Sequence, residues 1–322
     1  MKSKVKWGVL STAAIATGHV IPAMMNAEYC DVRAIASRSL KAAKKAAKRF
    51  KIPGAYGSYE ELLLDSEVEA VYIPLPNHLH VPWSIEALQA GKHVLVEKPI
   101  GLSSDEARKL LDESLKYPEL KVMEAFMYRH HPQWVKAKAL VENQKIGRLR
   151  TIQSSFSFFD DDPKSIINRK EYGGGSLMDI GCYPISLSRF LFNAEPINVY
   201  ANIEYHPEFK TDTLATAVME FEQGTSSFFS STLMPDNQKV EIYGTEGKIE
   251  FEIPFTPRAG KGSRIWLYRG DRKKEIVFDR CDQYAIQGDL FSLAILNDTP
   301  VPTPLNDAVN NMKVIERLLK SD

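Results

Sequence analysis

The sequence predicts a two-domain protein, with an α/β domain built on a doubly wound parallel sheet and then an α+β domain with a large, mostly antiparallel sheet. Through residue 124, short apolar strands alternate with helical segments and the connections are short. Beyond that point the pattern changes to long alternating strands. Because 322 residues are many for a single hydrophobic core, we divide the chain into domains 1–124 and 125–322.

In the first domain, apolar and β-branched runs predict the strands, and capping residues mark several of the helices. Ser58 with Glu61, and Ser103 with Glu106, have capping-box spacing, and Gly91 ends a helix. The predicted strands are 5–10, 32–36, 69–73, 93–97 and 121–124. The predicted helices are 14–26, 41–51, 58–64, 80–90 and 103–116.

The second domain combines long strands with a few helices. Residues 244–247 and 269–271 have the composition of hairpin turns. The predicted strands are 150–159, 199–206, 213–221, 225–233, 240–243 and 248–253. The predicted helices are 132–143, 176–192, 283–297 and 305–320.

Composition argues against several functional classes. The formal net charge is zero, and the lysine-rich stretch 41–51 has the helical spacing of a solvated face, so nucleic acid is not an expected partner. Three widely spaced cysteines indicate neither a disulfide framework nor a zinc site, and we expect no metal. With no signal peptide and no bilayer-length apolar stretch, we expect a cytoplasmic protein without a membrane partner.

The turn after the first strand is a candidate phosphate-binding turn. A dinucleotide fingerprint places glycines at positions 11, 13 and 16, where this chain has Ser11, Ala13 and Ala16. These residues are small, and the helix that follows can offer N-terminal amides to a pyrophosphate. The expected cofactor contacts here are Ser11, Thr12, Ala13, Ala14 and Ile15. The alternative is a structural turn without a ligand.

The end of the second strand favours NADP as the cofactor, with NAD as the less favoured choice. An NAD site usually carries an acidic residue there, whereas this chain has Ser37 and Arg38. A hydroxyl and a guanidinium suit a ribose 2′-phosphate. The alternative is that Arg38 is an ordinary surface residue.

Glu97-Lys98-Pro99 follows the apolar strand 93–96, which has the composition of a strand buried on both faces. Ligands of open α/β sheets bind at the carboxyl ends of the strands. Lys98 is therefore placed to meet a substrate hydroxyl or carbonyl.

A glycine-rich segment in the second domain carries a second candidate cluster. Three glycines at 173–175 precede a helix, and Asp179 and Tyr183, four residues apart, share one face of it. Tyr183 can exchange a proton with a substrate oxygen, and a nearby Lys98 ammonium would lower the pKa of the phenol. Considered singly, Tyr183 is a core tyrosine and Asp179 a helix cap.

These motifs together resemble the glucose–fructose oxidoreductase/inositol dehydrogenase/MocA (Gfo/Idh/MocA) family, over essentially the whole chain. The matching segments are 90–99 and 173–183, and segment 123–132 is most similar to the dimeric dihydrodiol and D-xylose dehydrogenase branch. The resemblance implies a Rossmann domain and a second domain whose open-faced sheet mediates homodimerisation. It also implies hydride transfer between a nicotinamide cofactor and a sugar or cyclic polyol, with Lys98, Asp179 and Tyr183 as catalytic residues.

The resemblance implies further contacts. Those to the cofactor are expected from Leu75, Asn77, His80, Glu97 and Arg169. Considered alone, Asn77 is a helix N-cap, His80 a surface histidine and Arg169 a surface charge. Substrate contacts are expected from Phe126, Tyr128 and the loop 156–162.

The leading hypothesis is an NADP-preferring oxidoreductase that acts on CH–OH groups of a sugar, cyclic polyol or trans-dihydrodiol. Tyr183 would act as general acid/base, and Lys98 would stabilise charge on the oxygen. One alternative is a catalytically silent NADP-sensing regulator of the same fold, which would not need Lys98, Asp179 and Tyr183 intact. Another is an NAD-dependent glycoside hydrolase, against which Ser37 and Arg38 argue.

Overall fold

The computed structural model describes residues 3–321, which form two compact units. The first unit contains the chain up to residue 127 together with residues 283–309. The second contains residues 128–282 and the chain from residue 310 onward. The sequence-based division into 1–124 and 125–322 differs from this one because it did not anticipate the return of residues 283–309 to the first unit.

The first unit is built on a six-stranded sheet in which every pairing is parallel. The strand order β3-β2-β1-β4-β5-β6 is that of a doubly wound sheet and confirms the predicted fold class. The strands are β1 (Val5–Leu10), β2 (Cys30–Ala36), β3 (Gly54–Tyr56), β4 (Ala70–Ile73), β5 (His93–Glu97) and β6 (Val122–Ala125). The edge strand β3 was not predicted, because three half-buried residues carry no periodic signal.

Helices connect these strands, and their caps follow the predicted pattern. Ser58 Oγ accepts a hydrogen bond from Glu61 N, and Ser103 Oγ accepts one from Glu106 N, at 3.1 Å each. The helices are a π-helical segment (Ala16–Val20) that continues into α1 (Ile21–Asn26), then α2 (Leu40–Phe50), α3 (Tyr59–Leu63), a 3₁₀ turn (Asn77–Leu79) that leads into α4 (His80–Gln89), and α5 (Ser104–Ser114).

The second unit contains an eight-stranded sheet in which β10–β7 is parallel and the other pairings are antiparallel. The strand order is β14-β13-β12-β11-β7-β10-β9-β8. Its elements are α6 (Pro132–Glu142), β7 (Leu149–Phe159), a π-helical segment (Leu177–Gly181) that continues into α7 (Cys182–Phe192), β8 (Asn198–Tyr205), β9 (Asp212–Phe221), β10 (Gly224–Ser231), β11 (Leu233–Gly244), β12 (Lys248–Phe251), β13 (Ser263–Arg269) and β14 (Arg272–Phe278). The predicted strand 240–243 is thus only the end of β11, whose polar first half has no strand-like alternation.

One face of this sheet is covered by helices. Trp134 of α6 stacks on Phe251 with ring centroids 4.0 Å apart, and Phe192 of α7 stacks on Phe221 at 4.3 Å. On the opposite face, Tyr200 and Val218 lie directly across from each other and are 54% and 39% exposed. Of the helices within residues 3–321, none combines the length and the apolar character needed to cross a bilayer.

The last two helices are α8 (Gln283–Leu296) and α9 (Leu305–Leu319), and α8 explains why residues 283–309 belong to the first unit. Phe291 packs on Trp7 of β1 with ring centroids 5.6 Å apart, and Trp7 Nε1 donates to Ser292 Oγ at 3.1 Å. The Asp289 carboxylate accepts hydrogen bonds from the backbone N–H groups of Glu28 and Tyr29. These contacts join residues at least 260 positions apart, which local sequence patterns do not reveal.

Candidate active site

The carboxyl ends of β1, β2, β4 and β5 lie along one edge of the first unit's sheet, because these strands are parallel and adjacent. The predicted residues Ser11, Ser37, Leu75 and Lys98 follow these four strand ends by one or two positions. Most of the predicted cofactor residues therefore share the edge at which ligands of open α/β sheets bind.

The turn after β1 begins with a residue in a backbone conformation typical of glycine, although no glycine is present. Ser11 has φ 152°, a conformation that glycine adopts readily and other residues only with strain. Its hydroxyl accepts a hydrogen bond from Ala13 N at 3.0 Å, which supports this shape locally. Thr12, Ala13 and Ala14 follow at the surface with small side chains. The turn therefore fits a pyrophosphate group beside the start of the helix.

Tyr59 joins this turn to the end of β2 and was missed by the sequence analysis. It is 7% exposed, its ring meets Trp83 edge-on at 4.9 Å, and its hydroxyl interacts with Ser11 and Arg38. Burial raises the pKa of Tyr59, while the Arg38 charge and the two hydrogen bonds act in the opposite direction. Arg38 itself is exposed and Ser37 half-buried, so a cation and hydroxyls converge where a 2′-phosphate would bind.

The end of β5 is tied to β4 by a carboxylate. Tyr72, which is fully buried, donates from its hydroxyl to Glu97 Oε1 at 2.6 Å. The second carboxylate oxygen accepts from the backbone N–H of Lys98 at 3.3 Å. Lys98 is half-buried, and the Lys98–Pro99 peptide bond is cis. Glu97 thus holds the turn that carries Lys98, and its predicted contact to the cofactor stays a prediction.

His80 does not occupy the position that the sequence suggested. The residue is 1% exposed, so it is not a surface histidine. Its Nδ1 lies 2.7 Å from the carbonyl oxygen of Pro99, and its Nε2 lies 2.6 Å from that of Leu75. Burial lowers the pKa of His80 to about 4, and the Lys98 charge acts in the same direction. Both nitrogens face backbone carbonyls, which contradicts a direct contact between this ring and the cofactor. Asn77, three residues earlier, remains half-buried in the 3₁₀ turn.

In the second unit, Asp179 and Tyr183 lie on one continuous helical segment. Asp179 belongs to its π-helical part and is half-buried, whereas Tyr183 lies in the first turn of α7 and is 5% exposed. Within residues 3–321 the π-helical segments are this one and Ala16–Val20, and both lie at predicted site residues.

The N-terminus of this helical segment is capped by Asp212 of β9, not by Asp179. Asp212 Oδ2 accepts hydrogen bonds from Leu177 N at 2.7 Å and from Ser176 Oγ at 2.8 Å. Burial raises the pKa of Asp212, although these hydrogen bonds favour the carboxylate. Gly175 makes room for the cap, because a Cβ at this position would lie 1.9 Å from Asp212 Oδ1 and the residue has φ 116°. The glycine run thus serves a long-range cap that the sequence did not identify.

An aromatic cluster surrounds the ring of Tyr183. Tyr128, Phe156 and Phe255 place their ring centroids 5.7, 5.5 and 5.4 Å from it. Tyr128 is fully buried, and its hydroxyl lies 2.8 Å from Ser186 Oγ. Tyr128 therefore packs against Tyr183 and supports it, and its predicted contact to the substrate stays a prediction.

The other predicted substrate residues divide between buried and accessible positions. Phe126 belongs to the first unit and is fully buried, so its predicted contact is not supported. Residues 157–162 include exposed positions and lead into a loop that Asn168 closes by donating to the carbonyls of Asp160 and Asp162. Phe156, which precedes these residues and is 8% exposed, packs its ring against that of Tyr183.

Arg169 lies in the second unit, immediately before the glycine run. Its guanidinium lies over the ring of Tyr172 at 5.2 Å and donates to that residue's hydroxyl at 3.3 Å. Its carbonyl accepts from Gly174 N at 3.0 Å, and Gly175 N donates to the carbonyl of Ile167. The side chain is half-buried and is held beside the helix of Tyr183, where its predicted contact to the cofactor stays a prediction.

Two family models match the chain. The oxidoreductase family with an NAD-binding Rossmann fold matches residues 5–125, and the GFO/IDH/MocA C-terminal domain matches residues 134–250. The chain belongs to the Gfo/Idh/MocA family. It is an oxidoreductase, and the predicted family and enzyme class are confirmed.

Other members of the Gfo/Idh/MocA family are similar over nearly the full length. An uncharacterized oxidoreductase of Rhizobium meliloti is 43% identical, with 98% of this chain and 96% of that protein covered. D-xylose 1-dehydrogenase (NADP⁺) 2 of Haloferax volcanii is 35% identical over the same shares of the two chains. Among solved structures, a 3-ketoreductase from Actinomadura kijaniata in complex with NADP and TDP-benzene has a TM-score of 0.91 and 28% identity, covering 99% of this chain and 98% of that one.

Substitution of Gly175 by alanine is expected to destabilise the cap of the Tyr183 helix. The new methyl group would collide with the Asp212 carboxylate and force it away from Leu177 N. Gly270→Ala is the matched control, because Gly270 also has a positive φ, 54°, but open space around its missing side chain. In urea unfolding, Gly175→Ala should lose about 1–2 kcal/mol more than the control. Equal losses would show that Asp212 does not depend on this glycine.

His131 should make stability fall in mild acid. Its Nδ1 accepts from Gln133 N and caps α6, and burial lowers its pKa from 6.5 to about 4. The folded protein disfavours protonation of His131. The contribution of the neutral ring to the free energy of unfolding is therefore complete above pH 6.5 and is lost as the pH falls towards 4. His131→Asn keeps an N-capping acceptor and removes the titration.

The free energy of unfolding, measured from pH 7 to pH 4, should therefore fall by about 1–3 kcal/mol less in His131→Asn than in wild type. His19→Asn, at an exposed histidine, controls for the change of side chain. Parallel pH profiles for His131→Asn and wild type would contradict this role.

Proposed function

We propose that this protein is an NADP-dependent oxidoreductase that transfers a hydride between the nicotinamide and a hydroxyl-bearing carbon of a sugar, cyclic polyol or trans-dihydrodiol. The observation that carries the proposal is that both catalytic motifs of the family are intact and each is locally supported. Lys98 follows a strand end held by Tyr72 and Glu97, and Tyr183 lies on a helix capped by Asp212.

The residues of the first unit fit NADP. The turn at Ser11 has the shape that a pyrophosphate requires, and Arg38, with Ser11 and Tyr59 beside it, offers a cation and hydroxyls to a 2′-phosphate. No acidic side chain occupies the end of β2, where NAD sites usually have one. The Haloferax relative is named for NADP⁺, and the Actinomadura structure contains NADP, which agrees with this choice.

Tyr183 and Lys98 divide the acid–base work in this proposal. Tyr183 takes the proton of the substrate hydroxyl during oxidation and returns it during reduction. Lys98 stabilises the negative charge that develops on the same oxygen. Asp179, one helical turn before Tyr183, accepts a hydrogen bond from the substrate and orients it. Bound NADP⁺ would accept the hydride during oxidation, and bound NADPH would supply it during reduction.

The intact motifs argue against a silent regulator of the same fold. A protein that only senses NADP needs the turn at Ser11 and the cation at Arg38. It does not need the buried phenol of Tyr183 or the three aromatic rings that support it. Ser37 and Arg38, which suit NADP and not NAD, argue against a hydrolase that holds NAD permanently.

The deciding experiment combines cofactor binding with turnover. Purified protein titrated with NADP and NAD should bind NADP more tightly, and a panel of aldoses, including D-xylose, with cyclic polyols and trans-dihydrodiols should reveal turnover by absorbance of the reduced nicotinamide. Tyr183→Phe should lower kcat/KM by about 10²- to 10⁴-fold while NADP binding stays within about twofold of wild type. Tyr117→Phe, at a half-buried tyrosine after α5, is the matched control.

Three results would contradict the proposal. NADP binding without turnover on any substrate would favour the sensing regulator. Product formation without net change in the cofactor would favour the hydrolase. Full activity in Tyr183→Phe would remove Tyr183 from the mechanism.

We also propose that the uncovered face of the second unit's sheet mediates homodimerisation. The support is the exposed pair Tyr200 and Val218, which lie side by side on β8 and β9. Sedimentation velocity should report a particle of twice 36.3 kDa for wild type and a monomer for Val218→Lys. A wild-type monomer at micromolar concentration would exclude this interface.

A further inference from the structure

His80 connects two backbone turns at the sheet edge where the cofactor is proposed to bind. Leu75 lies two residues beyond the end of β4, and Pro99 is the residue after Lys98. The imidazole lies between their carbonyl oxygens, 2.6 Å from one and 2.7 Å from the other.

We propose that His80 is a positioning residue: it sets the spacing between the turn at Leu75 and the turn at Pro99, and thereby the position of Lys98. The proposal rests on the proposed function, because it assigns to His80 an effect on the reaction that Lys98 assists. It predicts that turnover depends on His80 much more than the binding of NADP does.

The chemistry of the two contacts indicates that the imidazole of His80 links the carbonyl groups of Leu75 and Pro99. Carbonyl oxygens only accept hydrogen bonds, so a nitrogen that carries a proton donates to the carbonyl it faces. A neutral ring donates to one carbonyl and an imidazolium donates to both. The imidazolium therefore holds both carbonyl oxygens at a fixed separation, whereas the neutral ring is hydrogen-bonded to one of them and only limits how closely the other can approach. The groups whose charge acts on the ring are Lys98 and His78.

The backbone of His80 is itself held within α4. Ser84 Oγ, fully buried in α4, donates to the backbone carbonyl of His80 at 2.7 Å. Both chain neighbours of Lys98 are therefore held by hydrogen bonds. Tyr72 holds Glu97, and His80 holds Pro99. A displacement of about 1 Å in a catalytic group can lower the rate about 10²-fold, so loss of the contact between His80 and Pro99 should lower kcat measurably.

The chain offers a matched control at the opposite end of the same strand. Lys92, immediately before β5, is 7% exposed and donates from Nζ to the carbonyls of Asp65 and Val68 at 2.8 and 2.7 Å. Like His80, it is a buried side chain that ties two backbone carbonyls together in the first unit. Unlike His80, it is far along the strand from Lys98.

The experiment compares His80→Leu, His80→Gln and Lys92→Met in the full-length protein. Urea unfolding, NADP titration, and steady-state kinetics with NADP and D-xylose, or the sugar found active in the panel above, are measured for each. We expect His80→Leu and Lys92→Met to lose stability to a similar extent. We expect kcat to fall about 10- to 100-fold in His80→Leu only, while its dissociation constant for NADP stays within about threefold of wild type. His80→Gln, whose amide can still donate, should recover part of kcat at the same KM.

Each other outcome overturns the inference. A fall in kcat no larger than that of Lys92→Met would make His80 a structural residue only. If the NADP affinity of His80→Leu fell by the same factor as kcat, His80 would belong to the cofactor site. Absence of turnover in wild type would refute the proposed function and this inference with it, whereas wild-type turnover with an unaffected His80→Leu would refute this inference alone.

Discussion

The burial of β5 on both faces is the constraint on which the placement of Lys98 depends. Val94, Leu95 and Val96 are at most 1% exposed, and the strand is paired with β4 on one side and β6 on the other. A lysine stands just beyond each end of the strand, so a slip in register would draw Lys92 or Lys98 into the apolar core. The pairing of β5 thus fixes the position of Lys98 along the strand direction, at the carboxyl edge of the sheet. The hydrogen bonds of Glu97 and Pro99 then define its position more closely.

The second unit places Tyr183, the proposed acid/base residue, by different means. Tyr183 depends on a helix whose first amide is bound by a carboxylate from a neighbouring strand, and a glycine without a side chain lets that carboxylate approach. Three aromatic rings then limit the movement of the phenol. In both units the proposed reacting group is half-buried or buried, and it is held by hydrogen-bonded or aromatic neighbours, as expected of a preorganised site.

Local sequence signals predicted much of this arrangement. Lys98 and Tyr183 follow from motifs whose residues are neighbours in the chain, and the parallel sheet follows from alternating strands and helices. The contributions of Tyr59, Asp212 and α8 were missed, because each acts on residues distant in sequence. The burial of His80, Phe126 and Tyr128 was misjudged for a related reason: residue type and loop position do not reveal which side chains the packed domain covers. The three glycines before Ser176 were a usable signal that another chain segment approaches closely there.

The proposed function requires Lys98 and Tyr183 to act on the same substrate oxygen. A double-mutant cycle tests it most directly: kcat/KM is measured for wild type, Lys98→Met, Tyr183→Phe and the double variant with NADP and the same sugar. Groups that serve one reacting atom are strongly non-additive, so the double variant should be about as slow as the slower single variant. If the two losses instead multiply, the lysine and the tyrosine act independently and the account is wrong.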